Sequence, residues 1–242
     1  MRIKYKLIVI AAAMLVTVFP LAFGLGGQET AVMGSPEMES PEDAVLQIRG
    51  PLPDWQKMYS PEMVDTAVFA GGCFWGVEAV FEQLDGVLDV DSGYSGGEAD
   101  TAHYKLVGTG ATGHAEAVEI VFDPEKISYT KLLEVFFRVA HDPTQFNYQG
   151  PDQGTEYRSA VFYKDQQQKK LTEEMINSLE NEGLYKDNIV TEITPLDAFY
   201  PAEDYHQDFL RLNPTYPYIV YWDMPKLLDL QEKYPELISG EE

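Results

Sequence analysis

The sequence predicts an α+β domain in which helices cover a mixed sheet. Three observations carry that reading. Short runs rich in Val, Ile, Phe and Tyr fall at 66–71, 86–94, 115–122, 159–163 and 189–193, and they alternate or stay apolar as strands do. Between them lie segments with a helical period. The order of the two kinds lacks the steady strand–helix rhythm of a doubly wound parallel sheet.

In chain order, 66–71 is a short buried strand, and Val77, Val80, Phe81 and Leu84 then recur at helical spacing over 75–84. Segment 86–94 alternates and reads as a second strand, followed by a loop at 95–100. Over 115–122, Val118, Ile120 and Phe122 share one parity, which gives a strand with one buried face, and Asp123-Pro124 ends it. Ser128 can cap a helix that runs through Leu132, Leu133, Val135, Phe136 and Phe137 to Ala140. The polar stretch 141–155, with its Gly and Pro, is a loop before the strand at 159–163. Asp165 opens a charged amphipathic helix to about Glu182, and Gly183 is a good stop. A strand at 189–193, a short helix at 202–212 closed by Asn213-Pro214, and a helix at 225–234 complete the pass.

The chain has 242 residues, 45% of them hydrophobic and 12% aromatic, enough for an ordinary core. Its formal charge of −23 argues against nucleic acid or an anionic membrane surface as a partner, because phosphate would be repelled. Arg2, Lys4 and Lys6 precede an uninterrupted apolar run at 7–23, and Ala22 and Gly24 offer a small-x-small cleavage position. Residues 1–27 are therefore expected to be a signal peptide or membrane anchor, with the rest placed outside the cytoplasm. Residues 28–62, rich in Pro, Glu, Ser and Met, read as an extended linker or tether, and 63–242 as the folded domain with a C-terminal extension.

Cys73 is the only cysteine, so an exported chain cannot use it for an internal disulfide. It stands in Gly71-Gly72-Cys73-Phe74-Trp75-Gly76, where a strand passes into a helix. Free N–H groups and the positive end of the helix dipole favour a thiolate there. The glycines allow a sharp turn, and Phe74 and Trp75 offer an apolar wall. An inert buried cysteine is the plainer reading; the glycines and aromatics favour a nucleophile.

Three polar clusters accompany it. The first is Tyr104 with 113–118, where Glu116 shares the parity of Val118 and Ile120. A buried carboxyl without a charge partner stays protonated and can donate a proton. On strand pattern alone, a frayed strand start with Glu116 in water stands beside that reading. The second cluster is the loop 141–144 and 149–159, dense in donors and acceptors, in which Asp152 could equally be a turn residue. The third is 200–207 at a helix start, where Glu203 and Asp204 could simply charge the first turn. His103, His114, His141 and His206 show no metal-ligand spacing, and no nucleotide-binding glycine signature appears.

Six motifs occur in order: Gly-Cys-Phe-Trp-Gly (72–76), Gly-Tyr-Ser-Gly-Gly (93–97), Gly-His-Ala-Glu-Ala-Val (113–118), His-Asp-Pro-Thr (141–144), Asp-Gln-Gly-Thr-Glu-Tyr-Arg-Ser-Ala (152–160) and Ala-Glu-Asp-Tyr-His-Gln (202–207). Together they resemble the A-type peptide methionine sulfoxide reductases over about 65–217. The resemblance implies a two-layer α/β sandwich with a mixed sheet. It implies Cys73 as nucleophile, Glu116 as acid, and Phe74 and Trp75 as the holders of the substrate's methyl group. Tyr104 and Tyr157 would bond the sulfoxide oxygen or a water beside it, and Asp152 would be the acidic residue of the same pocket. The implied substrate is methionine S-sulfoxide, free or in oxidised proteins and peptides.

The chain departs from many relatives in having no further cysteine to resolve a sulfenic acid; Ile219 stands where they often place one. The expectation is a cycle with no bound cofactor, in which an external thiol, from thioredoxin, glutaredoxin or a small molecule, reduces Cys73. Two other readings compete. One is a cysteine acyl transferase or hydrolase with His114 as base, which needs His114 within hydrogen-bond reach of the sulfur. The other is a redox-sensing module that oxidises without turnover.

Overall fold

The computed structural model describes residues 48–238, and the expected signal or anchor at 1–27 lies outside them. Its centre is a six-stranded mixed sheet in the order β7-β6-β1-β3-β2-β8, formed by β1 (Asp65–Gly71), β2 (Val87–Ser95), β3 (Ala115–Phe122), β6 (Ser159–Tyr163), β7 (Glu192–Pro195) and β8 (Phe199–Pro201). All neighbours pair antiparallel except β6 and β7, which are parallel. A separate hairpin joins β4 (Tyr148–Gln149) to β5 (Asp152–Gln153). The helices are α1 (Phe74–Glu82), α2 (Tyr104–Val107), α3 (Tyr129–Val135), α4 (Gln166–Glu182), α5 (Phe209–Leu212) and α6 (Met224–Lys233).

Strand parity sorts the core. Phe69, Val118, Ile120 and Phe122 face the helices, while Val68, Ala70, Ala115, Ala117 and Ala160 form a thinner cluster on the other face with Phe162, Leu196 and Phe199. On the helix side Phe69 stacks on Phe136 at 4.8 Å and meets Phe81 at 5.7 Å, joining β1, α1 and the turn after α3. Each such ring, fully enclosed, contributes about 1.5–3 kcal/mol by leaving water.

The local signals for α3 and α4 are met by real caps. Ser128 accepts from Lys131 N at 3.2 Å and Asp165 from Gln168 N at 2.8 Å, and Gly183 closes α4 with φ 65°. Elsewhere the structure differs from the expected elements. The helix expected to Ala140 widens into a π-helical turn at Phe136–Ala140. The strand expected at 189–193 begins at Glu192 instead. The helix expected at 202–212 divides into a 3-10 turn, Asp204–His206, and α5, because Gln207 is extended and Asp208 takes φ 55°. Strand β8, helix α2 and the β4–β5 hairpin have too few residues to show a period.

The described part of the expected linker lies against the domain. Arg49 N donates to Gln83 Oε1 at 2.9 Å, its guanidinium reaches the carbonyls of Glu82 and Leu84, and Trp55 Nε1 donates to Asp89 at 3.0 Å. At the other end α6 packs on α1, and Asp85 N bonds Leu237 O at 2.7 Å. Among the described residues no helix is long and apolar enough to cross a membrane.

Candidate active site

Strand β1 delivers Cys73 to the N-cap of α1, with φ −54° and ψ 123°. Gly72 makes the turn at φ 89°, and a Cβ there would lie 2.5 Å from Gln149, so a side chain would expel the hairpin from the cysteine. Gln149 in turn spans Asp142, accepting from its N–H at 3.1 Å and donating to its carbonyl at 3.0 Å. This places the 141–144 cluster behind the site as scaffold. His141 is buried between Phe136 O and Ser159 Oγ at 2.9 and 2.7 Å, and burial lowers it to about 4, so it stays neutral.

Register decides Glu116. Phe69 faces Val118 and Tyr94 faces Glu116, so the start of β3 lies beside the end of β1. Glu116 is only 3% exposed, which rules out the frayed, solvated alternative. Phe74 N donates to Glu116 Oε2 at 3.1 Å, tying the carboxyl to the residue after the cysteine. Burial raises Glu116 to about 8 against the opposing pull of that bond, with the negative charges of Asp152 and Glu156 adding to the rise. At neutral pH it is an acid with a proton to give.

The thiol departs from its expected state. Cys73 is 8% exposed, and burial pushes it well above its ordinary range, with Glu116 and Asp223 adding to the rise. The Trp75 backbone N–H acts in the thiolate's favour, as a helix start should, but desolvation outweighs it. In the free protein the sulfur is therefore a thiol.

Phe74 and Trp75 form the apolar wall. Phe74 is buried beside His206 at 5.0 Å, and Trp75 stacks on Phe209 at 3.8 Å and 9°. The third sequence cluster turns out to hold this wall in place. His206 Nδ1 accepts from Trp75 Nε1 at 3.2 Å and its ring lies 4.4 Å from that of Tyr104. Glu203 accepts from Tyr104 N at 3.1 Å and from Tyr94 OH at 2.9 Å.

Tyr104, Tyr157 and Asp152 converge on the same space. Burial raises Tyr104 to about 12, with the charges of Glu116 and Cys73 contributing. Tyr157 is also raised, by burial first and then by Glu116 and Asp152. Asp152 accepts a hydrogen bond from Tyr218 OH, and Tyr218 also stands edge-on to Trp75 at 5.9 Å. Sequence reasoning missed Tyr218; its only signal was its place beside Ile219, where a cysteine is absent. It also gave no role to His206, Asp223 or Lys226.

His114 does not approach the sulfur. Its nitrogens meet Gly97 N at 3.2 Å and Glu98 O at 3.0 Å, so it has no free nitrogen for a base. Among the described residues no group of His, Cys, Asp and Glu is arranged to hold a metal.

A neutral acid, two phenols and an apolar wall around one thiol suit the reduction of a polar group on soft sulfur. Comparison with known proteins gives the same direction. A model described as peptide methionine sulfoxide reductase matches residues 65–237. Peptide methionine sulfoxide reductase MsrA 2 of Mesorhizobium japonicum is 56% identical over 175 residues, covering 72% of this chain and 90% of the relative. The MsrA 2 of Synechocystis is 51% identical over 177 residues, covering 73% and 83%. Among solved structures, reduced Mxr1 from Saccharomyces cerevisiae matches with a TM-score of 0.61 at 35% identity, covering 65% of this chain and 90% of that one.

Proposed function

The chain belongs to the peptide methionine sulfoxide reductase family, and on that premise we propose how its residues divide the reaction. Substrate enters with its methyl group against Phe74 and Trp75 and its oxygen towards Glu116, Tyr104 and Tyr157. As substrate enters, the Cys73 thiol releases its proton to water, and the resulting thiolate attacks the sulfoxide sulfur. Glu116 gives its proton to the oxygen, without which a poor oxide would have to leave, and the two phenols hold the developing charge. Two electrons pass from Cys73 to the sulfoxide sulfur. The oxygen ends on Cys73 as sulfenic acid, and methionine departs. The observation that carries this reading is the Phe74 N–H to Glu116 bond at 3.1 Å, which fixes a protonated carboxyl next to the cysteine.

The chain has no second cysteine, so an external thiol closes the cycle. It attacks the sulfenic acid to give a mixed disulfide and water, and a second thiol frees Cys73. Thioredoxin, glutaredoxin and small thiols are all chemically competent. The acid and phenols on one side of the wall favour a single epimer, and the family resemblance implies that it is the S-sulfoxide. The basic start and apolar run at 2–23 support a placement outside the cytoplasm, by a cleaved signal or an anchor.

The test is thiol-driven reduction of separated S and R epimers of a blocked methionine sulfoxide, followed by mass spectrometry of Cys73. Turnover of S alone, with sulfenic acid or a mixed disulfide on Cys73, is expected. Turnover of neither epimer by folded protein overturns the reading.

A further inference from the structure

One buried group beside the site is not used by that chemistry. Asp223 ends the π-helical turn Ile219–Asp223 and is 0% exposed. Its Oδ1 accepts from Lys226 Nζ at 3.1 Å, while its Oδ2 has no hydrogen-bond partner. The pair sits on the first turn of α1. A Cβ on Gly76 would lie 2.0 Å from Asp223 Oδ1 and 2.8 Å from Lys226 Nζ, so only glycine admits the pair. Gly76 is about one helical turn from Cys73. A desolvated carboxylate with an unpartnered oxygen thus stands close to the sulfur, where a second anion is disfavoured.

We propose that the Asp223–Lys226 pair restrains Cys73 electrostatically: Asp223 keeps the sulfur protonated in the free protein and so guards it from oxidation between turnovers. The thiolate is the form that oxidants attack. With hydrogen peroxide, thiolate sulfur gives two electrons to one peroxide oxygen, hydroxide leaves, and sulfenic acid results. A second peroxide removes two more electrons and yields sulfinic acid, which thiols do not reverse. A chain with no other cysteine to trap the first product gains from slowing the first step. The purpose of the restraint rests on the reading of Cys73 as nucleophile.

Several other groups face the sulfur. Glu116 comes from β3, Tyr104 from α2, Tyr157 from the turn after β5, and Tyr218 and Lys226 from the C-terminal segment. Asp223 opposes the thiolate more strongly than Lys226 favours it. Asp223 is a positioning residue acting through its field; burial raises it from its ordinary carboxylate range, and the bonded Lys226 ammonium opposes that rise and favours the ionised form.

The test uses the full chain and follows iodoacetamide alkylation of Cys73 against pH by mass spectrometry. Asp223→Asn, which keeps the shape and removes the charge, should lower the alkylation midpoint by about one to two pH units. At neutral pH in dilute peroxide it should also convert Cys73 to sulfinic acid roughly tenfold faster, following the larger thiolate fraction. Asp223→Glu, which keeps the charge, should stay near the parent. A midpoint in Asp223→Asn equal to the parent's overturns the proposal. So does an equal shift in Asp223→Glu, which would make Asp223 a packing residue. If Asp223→Asn fails to fold, Gly76→Ala displaces the pair and should move the midpoint down; an unmoved midpoint there also overturns the proposal. Alkylation reads the thiol itself, so it remains informative even if sulfoxide turnover fails.

Discussion

At Glu116 the amide of Phe74 occupies one carboxyl oxygen, and the surrounding side chains exclude water. The bond alone would favour the carboxylate; exclusion of water outweighs it and raises the group to about 8. The proton is therefore present through neutral pH and is lost as pH rises through about 8. The reductive half-reaction should fall along a basic limb near that pH. Glu116→Gln should slow that half-reaction by about 10²–10⁴-fold, the usual scale for a positioned acid, and should abolish the limb. Single-turnover rates with excess enzyme across pH 6–10 check both outcomes, and an unchanged rate would remove Glu116 from the acid role. The pattern of the strand, which put Glu116 on the face of Val118 and Ile120, left both environments open. The choice fell to Cys73, Phe74 and Tyr94 closing over it.

Helix α1 carries Cys73 at its N-cap and two buried carboxyls along its length. Glu78 is raised to about 9 and Glu82 to about 8, both chiefly by burial, with Asp208 crowding the pair. Asp208 N donates to Glu78 at 3.1 Å. Each group holds its proton in the folded state and loses it from about 4.5 in the unfolded chain. The unfolded state thus sheds protons first as pH rises, and folding stability falls between about pH 5 and pH 9, then levels. Glu78→Gln, which keeps the bond from Asp208 and cannot ionise, should flatten that decline. Thermal melts of the parent and variant from pH 5 to 9 test it; parallel declines would show that Glu78 contributes nothing. The hydrophobic spacing of α1 was legible from Val77, Val80, Phe81 and Leu84. The burial of Glu78 and Glu82 was not, because Arg49, Asp208 and Arg211, which enclose them, come from distant parts of the chain.

The whole molecule carries a formal charge of −23, and at low ionic strength that charge repels itself in the compact state. Raising salt from about 0.01 M to about 0.15 M shortens the Debye length from about 30 Å to about 8 Å. The melting temperature should therefore rise over that range at pH 7, at equal concentration of chloride and of acetate salts. A flat or falling trend would mean that the surface ion pairs, such as Arg158–Glu192 at 3.0 Å, offset the repulsion. Charge also sets the partner class: oxidised segments with basic flanks should be attracted, and polyanions should not compete.

The residues alone point to Cys73 as the candidate nucleophile and to the frame that presents it. A single cysteine between glycines, at the change from a strand period to a helical one, fixes where Cys73 stands, and strand parity fixes which side of β3 looks at the core. These are local properties, set by backbone geometry over a few residues. The state of the sulfur and the identity of its remote neighbours came from packing across the fold. The helix start argued for a thiolate, but packing removed water and brought Glu116 and Asp223 to the thiol, and desolvation is a sum over every element that closes the site. In the same way Tyr218 meets Asp152 from 66 residues away, and His206 orients Trp75 across 131. No pattern within either segment encodes such a meeting; it follows from how the sheet, α1 and the C-terminal segment pack together.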